Sequence, residues 1–394
     1  MNPSGELQEL NVPQRVLLGP GPSDVDPRVL RSMSTPLLGH LDPEFLRIMD
    51  RSRAMLQALF GTNNRLTLAM SGTGSAGMET CLVNLLEPGD RIVVGVNGVF
   101  GTRLCEVARR CGAEVVAIEA PWGQVLEPEP FQKALAEKRT KAVAVVHAET
   151  STGVLQPLEA IARSARAADA LMIADTVTSL GGTAVALDEW GVDAAYSGTQ
   201  KCLSCPPGLS PVSFGERAAA ALAARKHKVQ SWYLDLSLIQ EYWGSARSYH
   251  HTAPISMLYA LHEALRVCLE EGLPARFARH VRLSRALAAG LEALGLQLFA
   301  DPNHRAPMLT TVRIPEGVDD ATLRGRLLSE FGIEIGGGLG PVKGKIWRIG
   351  LMGYACRWPN VAALLGALGT LLSQSGHRCE AGAALAAAHA ALDA

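Results

Sequence analysis

The sequence predicts an α/β fold, a mostly parallel seven-stranded sheet covered by helices, followed by a smaller C-terminal α+β domain. Three observations carry this. From about residue 64 to 215, short β-branched apolar runs alternate with longer helical patterns, as strands joined by crossover helices do. Several runs are apolar at every position, as strands buried on both faces must be. The chain has 394 residues, 48% of them hydrophobic and 19% charged, enough for one large core and a smaller one.

The first twenty residues lack a strong period and read as an extended arm, residues 1–22. Strands are expected at Leu66–Met70, Arg91–Val96, Glu114–Ile118, Ala142–His147, Leu171–Asp175, Ala194–Ser197 and Pro211–Phe214, with helices such as Gly77–Leu86 and Leu158–Ala168 between them. Pro157 sits where a first-turn proline would open the second of these helices. A helix-rich stretch runs from 216 to 298, and the boundary of a large domain (23–275) with a small one (276–394) is placed near 275. The tail then reads as strand Met308–Ile314, helix Asp320–Phe331, strand Trp347–Ile349 and a helix from about 358. The closing AGAALAAAHAALDA is Ala-rich, compatible with a helix or a frayed end.

Thirty-seven basic residues balance 38 acidic ones, so no global field favours a nucleic acid or a membrane surface. MNPSGELQELNVPQR has no basic start and no apolar stretch, so a secretory leader is not expected. Nor is a membrane span. Eight scattered cysteines suit reduced thiols in the cytoplasm, and Leu392-Asp393-Ala394 is not a peroxisomal address.

In open parallel sheets a ligand lies beyond the C-terminal strand ends. Four polar groups are expected there: Ser71-Gly-Thr-Gly-Ser-Ala-Gly77, His147-Ala-Glu-Thr-Ser-Thr-Gly153, Asp175, and Ser197-Gly-Thr-Gln-Lys201. The glycine-rich turn, with free N–H groups and the hydroxyls of Thr73 and Ser75, suits a phosphate. It also fits G-x-G-x-x-G, but no carboxylate ends the next strand to hold a ribose, which weakens a dinucleotide reading. Alone, Asp175 could be a helix cap and Lys201 a surface lysine. As a pair 26 residues apart, on successive strand ends facing a phosphate-type loop, they match what pyridoxal phosphate requires. Lysine supplies the Schiff-base amine, and the carboxylate keeps the pyridine nitrogen protonated. Arg348, in an otherwise apolar strand, could grip a substrate carboxylate through its guanidinium fork or make a structural ion pair.

Two other patterns carry less. His147-Ala-Glu149 with Cys202-Leu-Ser-Cys205 echoes zinc deaminases, but Lys201 stands where proline belongs. The same CxxC lacks a thioredoxin-like context, and adjacent His250 and His251, whose side chains diverge on a strand or a helix, read as a satisfied structural pair and not as metal ligands.

The ordered motifs LLGPGPS, SGTGSAGMETCLVNLLEPGD, NGVFGTR, HAETSTGVLQPL, ADTVTSLGGT, YSGTQKCLSCPPG, SYHHTAP and GGLGPVKGKIWRIGLMG span about 340 residues. Together they resemble the class V, fold-type I aminotransferases, nearest the alanine–glyoxylate (serine–pyruvate) group. The resemblance implies the PLP-transferase fold and a pyridoxal 5'-phosphate cofactor. It also implies ping-pong transfer between a small amino acid and a 2-oxo acid, with a homodimer of shared active sites. On the same ground Lys201 is the cofactor lysine and proton shuttle, and Asp175 the partner of the pyridine nitrogen. Thr73, Gly74, Ser75, Thr150 and Gln200 fall at cofactor or phosphate positions. Tyr249 and Thr252 match residues that reach the neighbouring subunit's phosphate, and Arg348 matches the carboxylate-binding arginine.

Departures affect specificity. Phe100 stands where relatives often stack Trp on the cofactor, Ser75 where some have His, and Gly39–Phe45 differs near the substrate entrance. The amino donor stays open between alanine, serine and ureidoglycine. Other class V chemistry, such as desulfuration, needs a reactive cysteine over the cofactor, and neither Cys356 nor Cys379 lies in an evident mobile loop. A nicotinamide dehydrogenase would leave Asp175 and Lys201 idle.

Overall fold

A computed structural model describes residues 9–392. The start of the expected arm, residues 1–8, on which the expectation of no secretory leader partly rests, and the last two residues of the C-terminal tripeptide, Asp393 and Ala394, lie outside the described residues.

Seven strands form the main sheet: β1 (Leu66–Ser71), β2 (Arg91–Val96), β3 (Glu114–Glu119), β4 (Ala142–Val146), β5 (Leu171–Asp175), β6 (Ala194–Tyr196) and β7 (Leu209–Phe214). Their spatial order is β1-β7-β6-β5-β4-β2-β3. β7 runs antiparallel to both neighbours, and the remaining pairs are parallel. The other six strands therefore share one direction, which gathers their C-terminal ends on one rim. β2, β4 and β5 are buried at every position, whereas the edge strand β3 is exposed or half-buried at every position and is bounded by Glu114 and Glu119.

Several boundaries move, each for a local reason. β4 stops before His147, where the chain turns into a small hairpin, Ala148–Glu149 against Val154–Leu155. β7 begins two residues before Pro211. Proline is tolerated there because its strand position faces the end of β6, where its carbonyl accepts from Ser197 N at 2.7 Å. The helix after β1 starts at Gly74, three residues early. A Cβ at Gly77 would overlap Ser210 Oγ on β7, so glycine here permits close helix–strand packing rather than marking a break. The helix after the hairpin is Glu159–Ala167 with Leu158 as its cap, so Pro157 precedes the helix and does not open its first turn.

Four helices follow: Glu216–Ala223, Leu236–Trp243, Ile255–Glu271 and Leu273–Ala293. A three-stranded antiparallel sheet closes the chain, with β8 (Leu309–Arg313), β9 (Gly336–Gly337) and β10 (Ile346–Gly350) in the order β8-β10-β9. The helices Asp320–Phe331, Trp358–Gln374 and Ala381–Ala390 accompany it. The Ala-rich end is thus a helix, with Ala384 and Ala388 buried. Apolar side chains form two principal cores, one about the large sheet and one about the small. Leu18, fully buried, belongs to the second. The arm reaches it because Val16–Leu17 pairs in parallel with Ile333–Glu334, a long-range pairing that no local period announces.

Candidate active site

At the rim lies a cavity of about 210 Å³ lined by Gly74, Ser75, Phe100, Thr150, Asp175, Gln200 and Lys201, together with Met78, Arg103, Val146, Ala148, Val177 and Tyr196. Five strand ends contribute, β2 through Phe100 and Arg103 of the helix that follows it. The β1 turn brings Gly74 and Ser75, the segment after β4 brings Thr150, β5 ends in Asp175, and the loop after β6 carries Gln200 and Lys201.

Asp175 is buried. Its Oδ1 accepts from Val177 N at 2.9 Å and its Oδ2 from the Tyr196 hydroxyl at 2.7 Å. Burial pushes the carboxyl up to about 6, against the pull of these donors. Lys201 is 7% exposed, and its Nζ donates to the Pro20 carbonyl. Burial, reinforced by the Arg348 guanidinium, brings this amine down to about 8. The arm passes close by: a Cβ at Gly21, whose φ is +109°, would lie 2.7 Å from Lys201 Nζ. Only glycine suits that path.

Around this pair, Gln200 Oε1 is buried without a hydrogen-bond partner. Thr73 caps the Gly74–Leu85 helix by position but makes no side-chain cap bond. It is exposed at the turn and does not line the cavity. Thr150 Oγ1 lies 2.5 Å from Thr178 Oγ1. Arg348, on β10, donates through Nε to the Gly337 carbonyl at 2.7 Å and through Nη1 to the Thr150 carbonyl at 3.3 Å. Burial lowers it to about 10, and among the described residues Nη2 stays uncommitted.

Tyr249 and Thr252 are not brought to this cavity. Tyr249 is 61% exposed, its hydroxyl 3.5 Å from Thr252 Oγ1 and its ring 5.2 Å from that of His40. His250 and His251 pair through their Nδ1 atoms at 2.8 Å, and His251 Nε2 lies 2.7 Å from Ser71 Oγ. His147 Nδ1 is 2.9 Å from Ser179 Oγ, with burial pushing the ring down to about 4. Cys202 and Cys205 are free and buried; Cys202 Sγ donates to the Thr178 carbonyl at 3.3 Å, and burial raises its thiol to about 12.

Three participants escaped the sequence reading. Tyr196 is the only polar-tipped side chain of β6, and a buried phenol needs a partner. Arg103 follows Phe100 by one helical turn, and its guanidinium stands 4.9 Å from that ring. The Pro20 carbonyl left no side-chain signal.

A doubly wound sheet of this order, with an acid and a lysine at its rim, defines a fold-type I pyridoxal-phosphate enzyme. The family model described as aminotransferase class-V matches residues 17–357, and the chain belongs to this family of pyridoxal-phosphate-dependent aminotransferases. It is 46% identical to the (S)-ureidoglycine–glyoxylate transaminase of Bacillus subtilis over 97% of this chain and 96% of that one. It is 41% identical to the alanine–glyoxylate aminotransferase of Drosophila melanogaster over 93% and 94%. A crystal structure of the alanine–glyoxylate aminotransferase from Nostoc sp. superimposes with a TM-score of 0.92 at 49% identity, covering 94% of this chain and 99% of that one.

Proposed function

We propose that this aminotransferase moves an amino group from a small amino acid, alanine or serine, to glyoxylate or pyruvate in two half-reactions at the cavity. One observation carries the reading: the Asp175 carboxylate and the Lys201 amine line a single buried space. The cavity suits pyridoxal phosphate. No partner fixes the buried Gln200 Oε1, so the amide is free to turn its NH2 donor to a phosphate, the helix after β1 opens without a side-chain cap, and Gly74 and Gly198 approach closely enough that a Cβ on Gly74 would stand 3.5 Å from Gly198 Cα. Gly74, Ser75 and Gln200 would hold the phosphate from the cavity wall, with Thr73 joining from the adjoining turn; Phe100 would cover the ring face and Thr150 the ring edge. Once bound, pyridoxal phosphate supplies a carbonyl for the substrate amine and a protonated ring that accepts electron density.

Asp175, kept from water and oriented by Val177 and Tyr196, sets its charge against the ring nitrogen. Lys201, with its proton affinity lowered, takes the proton from the substrate α-carbon as a general base and holds it for return. Arg348, with Nε held by the Gly337 carbonyl, uses its uncommitted Nη2 to orient the substrate carboxylate. The Asp175 and Arg348 charges are both shielded from water, which strengthens their hold. Tyr249 and Thr252 complete the phosphate site of a second copy, so the working unit is a homodimer. We read residues 23–275 as the cofactor domain and 276–394 as the small domain, and place the protein in the cytoplasm. Among the described residues, no helix is long and apolar enough to cross a membrane.

A second donor, (S)-ureidoglycine, is favoured by the 46% identity to the Bacillus subtilis transaminase. Purified protein should show the visible band of lysine-bound pyridoxal phosphate, and Lys201→Ala should abolish it. Colourless protein that added cofactor does not colour would end the proposal. Bleaching of the band by alanine, serine or ureidoglycine in single half-reactions decides between donors.

A further inference from the structure

Phe100 sits in the first turn of the helix Val99–Arg110, with Arg103 one turn on. Both line the cavity. The N-cap of this helix is Gly98, which offers no side chain, so the N–H groups of the first turn must find acceptors elsewhere. They find them about fifty residues away in the chain. Val99 N donates to Ser151 Oγ at 2.9 Å, and Phe100 N and Gly101 N donate to Glu149 Oε2 at 3.1 and 3.4 Å. Ser151 in turn donates its N and Oγ to Glu149 Oε1 at 3.0 and 2.6 Å.

Four donors thus converge on one carboxylate that is 1% exposed. Every partner delivers a hydrogen to it, an arrangement that suits the ionised, acceptor-only form, and a negative charge is favourable at a helix N-terminus. A Cβ on Gly98 would overlap Glu149 Cγ and Cδ and Ser151 Oγ, so glycine at this position lets the acid approach. Ala148 and Thr150 line the cavity and Glu149 does not. Its oxygens are spent on the helix and on Ser151, so it is not placed to exchange a proton with substrate.

We propose that Glu149 is a positioning residue: with Ser151 it supplies the missing cap of the Val99–Arg110 helix and thereby holds Phe100 against the cofactor cavity. This inference rests on the reading that Phe100 stacks on pyridoxal phosphate. The test is a double-mutant cycle on the equilibrium dissociation constant of pyridoxal phosphate, titrated into cofactor-stripped protein, for the parent, Glu149→Gln, Phe100→Leu and the double variant. Each single change should weaken binding on the order of tenfold, the scale of a lost cap. The double variant should bind within about twofold of Phe100→Leu, because the acid acts through the ring. Urea unfolding of the stripped proteins separates this from general loss of stability.

Glu149→Gln binding as tightly as the parent, or losses that multiply in the double variant, would overturn the inference and leave the stacking reading intact. Phe100→Leu binding as tightly as the parent would overturn both. Should Glu149→Gln fail to fold, Ser151→Ala takes its place in the cycle. A loss of about threefold that vanishes in the Phe100→Leu background supports the inference, and one that persists there sinks it.

Discussion

Lys201 lies in surroundings that disfavour its own charge, and this has a kinetic consequence. An amine near 8 is neutral in roughly one molecule in ten at pH 7, against fewer than about one in a thousand for an ordinary lysine. Only the neutral amine attacks an aldehyde. Capture of pyridoxal phosphate by stripped protein, followed as growth of the visible band, should therefore accelerate as pH rises through about 8 and level off above it; acceleration continuing past pH 10 would contradict the assignment. Arg348 has a different role. Its fork supplies charge-assisted bonds worth on the order of 2 kcal/mol, so Arg348→Ala should raise the KM for the amino donor by about thirtyfold while the visible band persists. An unchanged KM in steady-state kinetics would remove it from the substrate site.

At the scale of elements, glycines decide how closely helices meet the sheet. Gly77 abuts Ser210, and Gly98 abuts Glu149. Gly98→Ala should destabilise the protein by about 1–3 kcal/mol through overpacking beneath the Val99 turn. Urea unfolding of the stripped chain measures this, and a midpoint equal to the parent's would show that the turn can shift freely. The backbone at Gly98 is extended, with φ 175°, so the expected cost is steric and not conformational.

The whole molecule is stitched by its arm. Val16–Leu17 extends the small side while Ser23 N and Oγ donate to the Gln200 carbonyl at 2.9 Å and the Lys201 carbonyl at 2.7 Å. The arm and the first residue beyond it thus tie the second core to the backbone of the cofactor loop. Leu18→Ala should cost about 2–5 kcal/mol by opening a cavity in that core, seen as a lower unfolding midpoint; no change would mean that the arm packs loosely. The proposed homodimer has its own assay. Lys201→Ala and Tyr249→Ala spoil different subunits' contributions to a site, so in mixed dimers one site of two is intact. Refolding the two inactive variants together should recover about a quarter of parental activity if subunits pair at random. Activity no greater than that of either variant alone would show that each chain builds its site unaided.

Much of this was legible before any coordinates. Continuous apolar runs located the strands because burial on both faces leaves a one-dimensional trace, and Asp175 and Lys201 stood out as polar residues closing such runs. Residue order could not reveal that β7 enters the sheet between β1 and β6 in the opposite direction, that the arm pairs with Ile333–Glu334, or that Glu149 caps a helix fifty residues before it. These depend on backbone groups and close approaches between distant segments, and hydrogen bonds of that kind leave no period in the chain. Local chemistry and hydrophobic patterning are therefore properties of the sequence itself, while the partners of each buried polar group are settled only when the chain has closed on itself.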